Sequence, residues 1–360
     1  MSAKIAKTIA RQKERIAEGS YYEAHQQFRV IASRYLKTSD YASACDVLYN
    51  GAVLLLKADQ GGSGGDLGLM LLKEVYTNGE YPCNTENKNK LLDILKAFLK
   101  DEPIRKRYIQ EMIAWSSKFG DLERGDPDLH HAAGQIYAGG TSPRFASAFI
   151  PRELTPYSNR RRSYPAEQHL LLGTPQSSPL LATLHYNWYK SDSPHQAALY
   201  ASRSVLPYLV LGNLASATTA FAQFTSLLTS TNTSLPTQSI DSAKSSVRIF
   251  PSLPLLNFLA LILLAAQKGD GALYRQLGKH YASHLKEVEE FWGEALANIG
   301  EVWFGIRIPK QGGNPLMDMM SSMMFGGGGA KAAAGSGSTP RAGTPKPVKG
   351  PAAPAAMDLD

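Results

Sequence analysis

The side chains best suited to chemistry are two histidine pairs and one glycine-rich run. His280 and His284 stand four apart, a spacing at which two imidazoles on one helix face can share a metal ion. No third Cys, His or carboxylate follows at a ligand spacing, since Glu287 and Glu289 fall beyond the predicted helix end. Surface or half-buried histidines are therefore expected there, and no metal. His130 and His131 are adjacent, so on a helix they point about 100° apart and do not converge. Gln60-Gly-Gly-Ser-Gly-Gly-Asp66 precedes a helix predicted to begin near Leu67. Glycines at a helix N-terminus can hold a phosphate on backbone N–H groups. Here the lysine of a phosphate loop is missing, and Asp66 would put a negative charge on the same spot. A flexible turn with Asp66 capping the next helix is the expectation. The patterns Gly-x-x-x-x-Gly-Lys-Ser/Thr and His-Glu-x-x-His do not occur. The residues indicate no catalytic set and no cofactor, and the chain is expected not to be an enzyme.

Binding chemistry is better represented. In the first predicted helix Ile5, Ile9 and Ile16 fall within about 40° of one another. Lys4, Lys7, Arg11 and Arg15 project from the other side as a basic stripe, with Glu14 and Glu18 placed to pair with Arg11 and Arg15. Three readings stand: a solvated face, a mitochondrial presequence, or a docking stripe for an acidic protein partner. The two glutamates, and the helix running straight into the next, speak against a presequence. At the other end Leu285, Val288, Trp292, Ala295, Ile299 and Val302 follow heptad spacing on one predicted helix from Leu285 to Phe304, and Phe291, Leu296 and Trp303 widen that face. Such a face is more apolar than one neighbour needs, so it caps its own array or is covered by another chain. Met317, Met319, Met320, Met323, Met324 and Phe325 form a soft apolar cluster beyond it, suited to apolar ligands or to folding back.

These residues need elements to position them, and the elements repeat. Tyr21, Ala24, Phe28, Ile31 and Tyr35 lie on one helical face, and Tyr41, Ala44, Leu48, Gly51 and Leu55 repeat the spacing after a further turn. Gly19-Ser20 and Ser39-Asp40 read as the turn and cap of each copy. Two such copies make a helical hairpin, so the expected fold is all-α: a TPR-like α-solenoid of antiparallel helix pairs. Strand signals are confined to Ser245–Phe250, which predicts a short hairpin near 240–250. The organisation reads as an N-terminal solenoid half over 1–140, an irregular proline-bearing insertion over 141–163, a C-terminal half over 164–308, the Met-rich segment over 309–325 and a disordered tail over 326–360.

Composition agrees. The chain has 360 residues, 43% of them apolar and 19% charged, enough to bury a core. Two cysteines, Cys45 and Cys83, leave no disulfide framework. The longest apolar run, Leu255 to Ala266, is interrupted by Asn257 and is too short for a membrane span. The net charge of +7 sits in residues 1–20, 144–162 and the tail from Gly326, which leaves the remainder slightly acidic. A continuous surface for tracking phosphates is not indicated, so a nucleic-acid-binding helical-repeat protein stands second to a protein-binding scaffold.

Several stretches, in order, resemble the Golgi-to-ER traffic protein four family. They are Gly19-Ser-Tyr-Tyr-Glu-Ala-His25, Ala58-Asp-Gln-Gly-Gly-Ser-Gly-Gly-Asp66, Gly125-Asp-Pro-Asp-Leu-His130, His169-Leu-Leu-Leu-Gly-Thr174, Arg248-Ile-Phe-Pro-Ser-Leu-Pro-Leu-Leu-Asn-Phe258 and Phe304-Gly-Ile-Arg-Ile-Pro309. The resemblance implies a non-enzymatic cytosolic scaffold of tail-anchored protein targeting. Its N-terminal half would dock the targeting ATPase. Its C-terminal half would hold a ubiquitin-like adaptor that recruits a glutamine-rich TPR co-chaperone, with no nucleic acid and no direct membrane insertion. Residues 141–163 depart from the family pattern, and a retained intron or a lineage-specific loop would both produce them. Within that frame Lys4, Lys7, Arg11, Arg15 and Arg34 are the candidate ATPase contacts, with Asp66 adding one of opposite sign. Phe250, Leu253, Leu256, Phe258 and Trp292 are the candidate adaptor anchors.

Overall fold

A twenty-residue step sets the N-terminal architecture. After α1 (Ala3–Ala17) come α2 (Tyr21–Lys37), α3 (Tyr41–Lys57) and α4 (Gly61–Met70). The chain turns at Gly19, Ser39 and Asp59, whose φ angles of 84°, 56° and 61° are left-handed. The same capping bond recurs at each turn: Ser20, Asp40 and Gln60 donate their N–H to the carbonyls of Arg15, Tyr35 and Leu55, each at 2.9 Å. Asp40 also caps α3 by accepting from the Ser43 N–H, whereas Ser20 makes no side-chain cap. Turns this short leave successive helices antiparallel. Both predicted faces point inward: Ala24, Phe28, Ala44, Leu48 and Leu55 are fully buried, and Tyr21, Ile31, Tyr35 and Tyr41 pack at the margin of the same core.

The structure, a computed structural model, describes residues 3–99, 102–139, 165–242 and 245–306. The expected insertion over 141–163, the Met-rich segment over 309–325 and the tail over 326–360 lie outside the described residues. A π-helical turn, Leu71–Thr77, prolongs α4. Then follow α5 (Thr85–Ala97), α6 (Pro103–Phe119), α7 (Pro127–Tyr137), the described part of α8 (165–171), α9 (Ser177–Tyr189), α10 (Ala197–Val210) and α11 (Leu214–Thr231). The hairpin of β1 (Gln238–Ser242) and β2 (Ser245–Ile249) leads to α12 (Pro254–Lys268), α13 (Gly271–His280), α14 (Ala282–Glu287) and α15 (Glu289–Phe304). This is an all-α solenoid with one β-hairpin, antiparallel in register from Gln238↔Ile249 to Ser242↔Ser245. One apolar core runs from Ile5 to Ala133 and a second from Leu170 to Ile299.

Two expectations need correction. The glycine-rich run is not a turn: α4 begins at Gly61, and Asp66 sits inside the helix. The reason is close packing. A Cβ at Gly64 would lie 2.6 Å from Leu56 Cγ, and one at Gly65 would lie 2.4 Å from Ile104 Cγ2, so the bare backbone lets α3 and α6 press against α4. The last helix does not begin at Leu285 either. The chain leaves helical geometry at Val288, with φ −117° and ψ 12°, which divides that stretch between α14 and α15. The return of α15 onto α10 is fixed by Trp303, whose Nε1 donates to the Leu209 carbonyl at 2.8 Å.

Candidate protein-docking surfaces

The N-terminal surface follows from how α1 packs. Ile5 and Ile16 are buried and Ile9 lies at the core margin. Gln12 is buried on the same side and its Oε1 has no hydrogen-bond partner. With that face turned inward, Lys4, Lys7 and Arg11 are exposed and Arg15 is half-buried. No ion pair ties Arg11 or Arg15 to Glu14 or Glu18 among the described residues. Arg34 is exposed on the last turn of α2.

Asp66 is placed differently from its expected capping role. Its Oδ2 lies 3.0 Å from His25 Nε2 and accepts from Arg29 Nη1 at 2.9 Å, which ties α4 to α2. Its side chain keeps 40% of its exposure, so the carboxylate faces solvent while already shared with two neighbours. His25 and Arg29 escaped the reading of the sequence. The available signal was their spacing of four on α2, together with the period that stacks α2 against α4 two helices on.

At the C-terminal end the five candidate anchors are core residues, which corrects their reading as contact residues. Phe250 and Leu256 are wholly buried, and Leu253, Phe258 and Trp292 nearly so. Phe258 packs between the rings of Tyr281 and Trp292, with centroids 5.4 and 6.2 Å away. The physical cause is position: α12 packs against α10, α11, α13 and α14 of its own chain, which buries these five side chains and leaves Leu255, Leu261 and Leu264 of its apolar run half-buried. Asn257, the polar break in that run, exchanges two hydrogen bonds with the Phe250 backbone. The apolar side chains that do face out are Phe291 (71% exposed) and Val302 on α15, Leu211 after α10, and Ile240 on β1. Phe291 and Leu211 border a groove of about 1110 Å³ between α8, α10 and α15.

Polar clusters join the middle helices. His130 Nε2 lies 2.8 Å from the Arg124 carbonyl, so that nitrogen carries the proton and donates. Its Nδ1 is then the acceptor for His169 Nδ1–H at 2.9 Å, a bond linking α7 to α8. Burial lowers both imidazoles' affinity for a proton, and His169, also beside His130, falls to about 4. Glu167 receives His185 Nε2 at 2.7 Å and both Nε and Nη2 of Arg203 at 2.9 and 2.7 Å. Burial alone would raise the Glu167 carboxyl, but these bonds bring it below its ordinary value. Ser177 Oγ lies 2.7 Å from His131 Nδ1, and Ser177 is wholly buried.

His280 and His284 do not share a helix. They end α13 and sit in α14, on either side of Tyr281. No group of three or more His, Cys, Asp or Glu able to hold a metal occurs among the described residues. No described helix is long and apolar enough to cross a membrane.

Known proteins provide the remaining findings. The family model described as Golgi to ER traffic protein 4 matches residues 38–324. A protein of that description from Aspergillus fumigatus is 49% identical over 373 residues, covering 100% of both chains. One from Schizosaccharomyces pombe is 31% identical over 327 residues, covering 91% of this chain and 96% of its own. The crystal structure of Get4 from C. therm. superposes with a TM-score of 0.77 at 44% identity, covering 91% of this chain and 97% of the other.

Proposed function

Since the chain belongs to the Golgi to ER traffic protein 4 family, we propose that it is a cytosolic, non-enzymatic scaffold for post-translational targeting of tail-anchored membrane proteins to the endoplasmic reticulum. In this reading the N-terminal half docks a targeting ATPase. The C-terminal half holds a ubiquitin-like adaptor, through which a glutamine-rich TPR co-chaperone is recruited. One observation carries the reading: a single solenoid presents two exposed surfaces of different chemistry. α1 turns Lys4, Lys7 and Arg11 outward over a buried isoleucine face, and α15 leaves Phe291 and Val302 in solvent.

The two surfaces call for two kinds of attachment. A basic stripe attracts an acidic partner through long-range Coulomb steering that salt screens. Lys4, Lys7, Arg11, Arg15 and Arg34 are the proposed contacts there. Asp66, shared with His25 and Arg29 and with 40% of its side chain exposed, is the proposed contact of opposite sign. An apolar surface binds by excluding water and responds little to salt. Phe250, Leu253, Leu256, Phe258 and Trp292 hold the shape of that end from inside.

Reversing Arg11 and Arg15 to Glu tests the N-terminal half. ATPase affinity is expected to fall at least tenfold at low salt, with adaptor binding and helicity unchanged. Undiminished ATPase binding by the variant at low salt would make the stripe a solvated face.

A further inference from the structure

Where α3 and α5 begin, the chain encloses a polar cavity of about 500 Å³ that shares no residue with either docking surface. That volume falls within the ~300–1,000 Å³ of small-molecule sites. Its aromatic wall is fixed in place. Tyr81 stacks on the buried ring of Tyr76, with centroids 5.0 Å apart and planes 7° from parallel. The Tyr81 carbonyl accepts from Trp115 Nε1 at 3.1 Å. What the cavity offers a ligand is acceptors. Asn87 is 5% exposed, and its Nδ2 donates to the Pro82 carbonyl at 2.9 Å, which sets the orientation of the amide. Its Oδ1 accepts no hydrogen bond among the described residues and is not sealed from water, so it opens onto the cavity that Asn87 lines.

Charge narrows the choice of ligand. The carboxylates of Asp46, Glu80 and Glu86 line the cavity against the single ammonium of Lys90. Lys90 is answered on its own helix by Glu86 Oε1 at 2.9 Å. Glu80 is exposed, and no cation pairs with it among the described residues. It stands in left-handed backbone with φ 50°, a conformation that glutamate rarely takes. An anion finds no open donor at the helix starts, because Asp40 and Asn84 already accept from the N–H groups of Ser43 and Asn87, at 3.1 and 2.9 Å. A metal ion would lack a ligand set. The lining calls for a cation with several N–H donors and a flat body that lies against an aromatic ring. A guanidinium has both, whereas an ammonium has no plane to stack. Free arginine would bring its own carboxylate against the acidic lining; within a peptide that group is a neutral amide. We infer that the cavity is a binding site for a guanidinium group, carried by an arginine side chain of a peptide.

The test titrates the nitrogen-15-labelled full-length chain with acetyl-arginine amide, its neutral isostere acetyl-citrulline amide, acetyl-lysine amide and free arginine. Nuclear magnetic resonance is expected to show saturable shifts of the Asn87 side-chain amide and the Tyr81 backbone amide with acetyl-arginine amide. Its affinity should exceed that of the citrulline probe at least tenfold, and lysine and free arginine should bind more weakly than it does. Glu80→Gln with Glu86→Gln should weaken the arginine probe tenfold or more. Both positions are exposed, so the melting temperature should match the parent chain. Glu74→Gln, exposed and outside the cavity, should leave binding unchanged. Equal binding of arginine and citrulline, no saturable shift at these two amides, tighter binding of free arginine, or arginine binding untouched by the double variant would each overturn the assignment. None of these results bears on the bridging role, whose two surfaces lie on other residues.

Discussion

Asn257 and Phe250 exchange two hydrogen bonds: Asn257 Nδ2 donates to the Phe250 carbonyl at 2.9 Å, and the Phe250 N–H donates to Asn257 Oδ1 at 2.8 Å. A side-chain amide thereby takes the place of a strand partner where β2 ends and seats the hairpin on α12. The one polar residue in the Leu255–Ala266 run is thus a clamp. Asn257→Leu would make the run more apolar, yet it strands both polar groups of a buried residue. It is expected to destabilise the protein by about 2–4 kcal/mol, measured by denaturant unfolding. Equal or greater stability would mean that the clamp contributes nothing.

The glycines of α4 give a paired prediction. A Cβ added at the exposed Gly62 would meet nothing within 4 Å, whereas one at Gly64 would lie 2.6 Å from Leu56 Cγ and 2.9 Å from Leu56 N. Gly62→Ala should therefore stabilise the helix by up to about 1 kcal/mol. Gly64→Ala should cost about 1–3 kcal/mol through overpacking. Thermal melts of the two variants should move in opposite directions; a flexible turn would leave both near the parent value.

Acid should loosen the α7–α8 junction. Folded His169 titrates near 4, below its ordinary 6.5, chiefly because it is buried. Between those values the unfolded chain binds the extra proton and the folded chain does not, so stability falls as pH drops from about 6.5 toward about 4. Glu167, held below its ordinary value by His185 and Arg203, adds loss in the same direction at the acid end. The melting temperature of His169→Asn, which keeps a donor for His130 but cannot titrate, should depend less steeply on pH over that window. A slope equal to the parent's would place the sensitivity elsewhere.

Where local pattern decides the outcome, the sequence was legible. The repeat from Tyr21 to Leu55 revealed the helix pairing, and Ser245–Phe250 revealed the hairpin. The outward basic side of α1 followed from its three isoleucines. Where a distant neighbour decides, it was not. Gly64 and Gly65 look like a turn until Leu56 and Ile104 are seen pressing on them. His130 and His169 are 39 residues apart and nothing local marks either as the other's partner. Phe250, Leu253, Leu256, Phe258 and Trp292 have the composition of a sticky surface and of a core alike, and the packing of α12 against four helices made them core.

The central claim is that one solenoid holds two partners at once, on surfaces of unlike chemistry. Light scattering coupled to size exclusion, with the full-length chain, the targeting ATPase and the ubiquitin-like adaptor mixed at low salt, measures this most directly. The predicted result is a single particle whose mass contains all three proteins, which loses the ATPase alone when Arg11 and Arg15 are reversed to Glu or salt is raised. Displacement of one partner by the other, or loss of both from the reversed variant, would contradict the account.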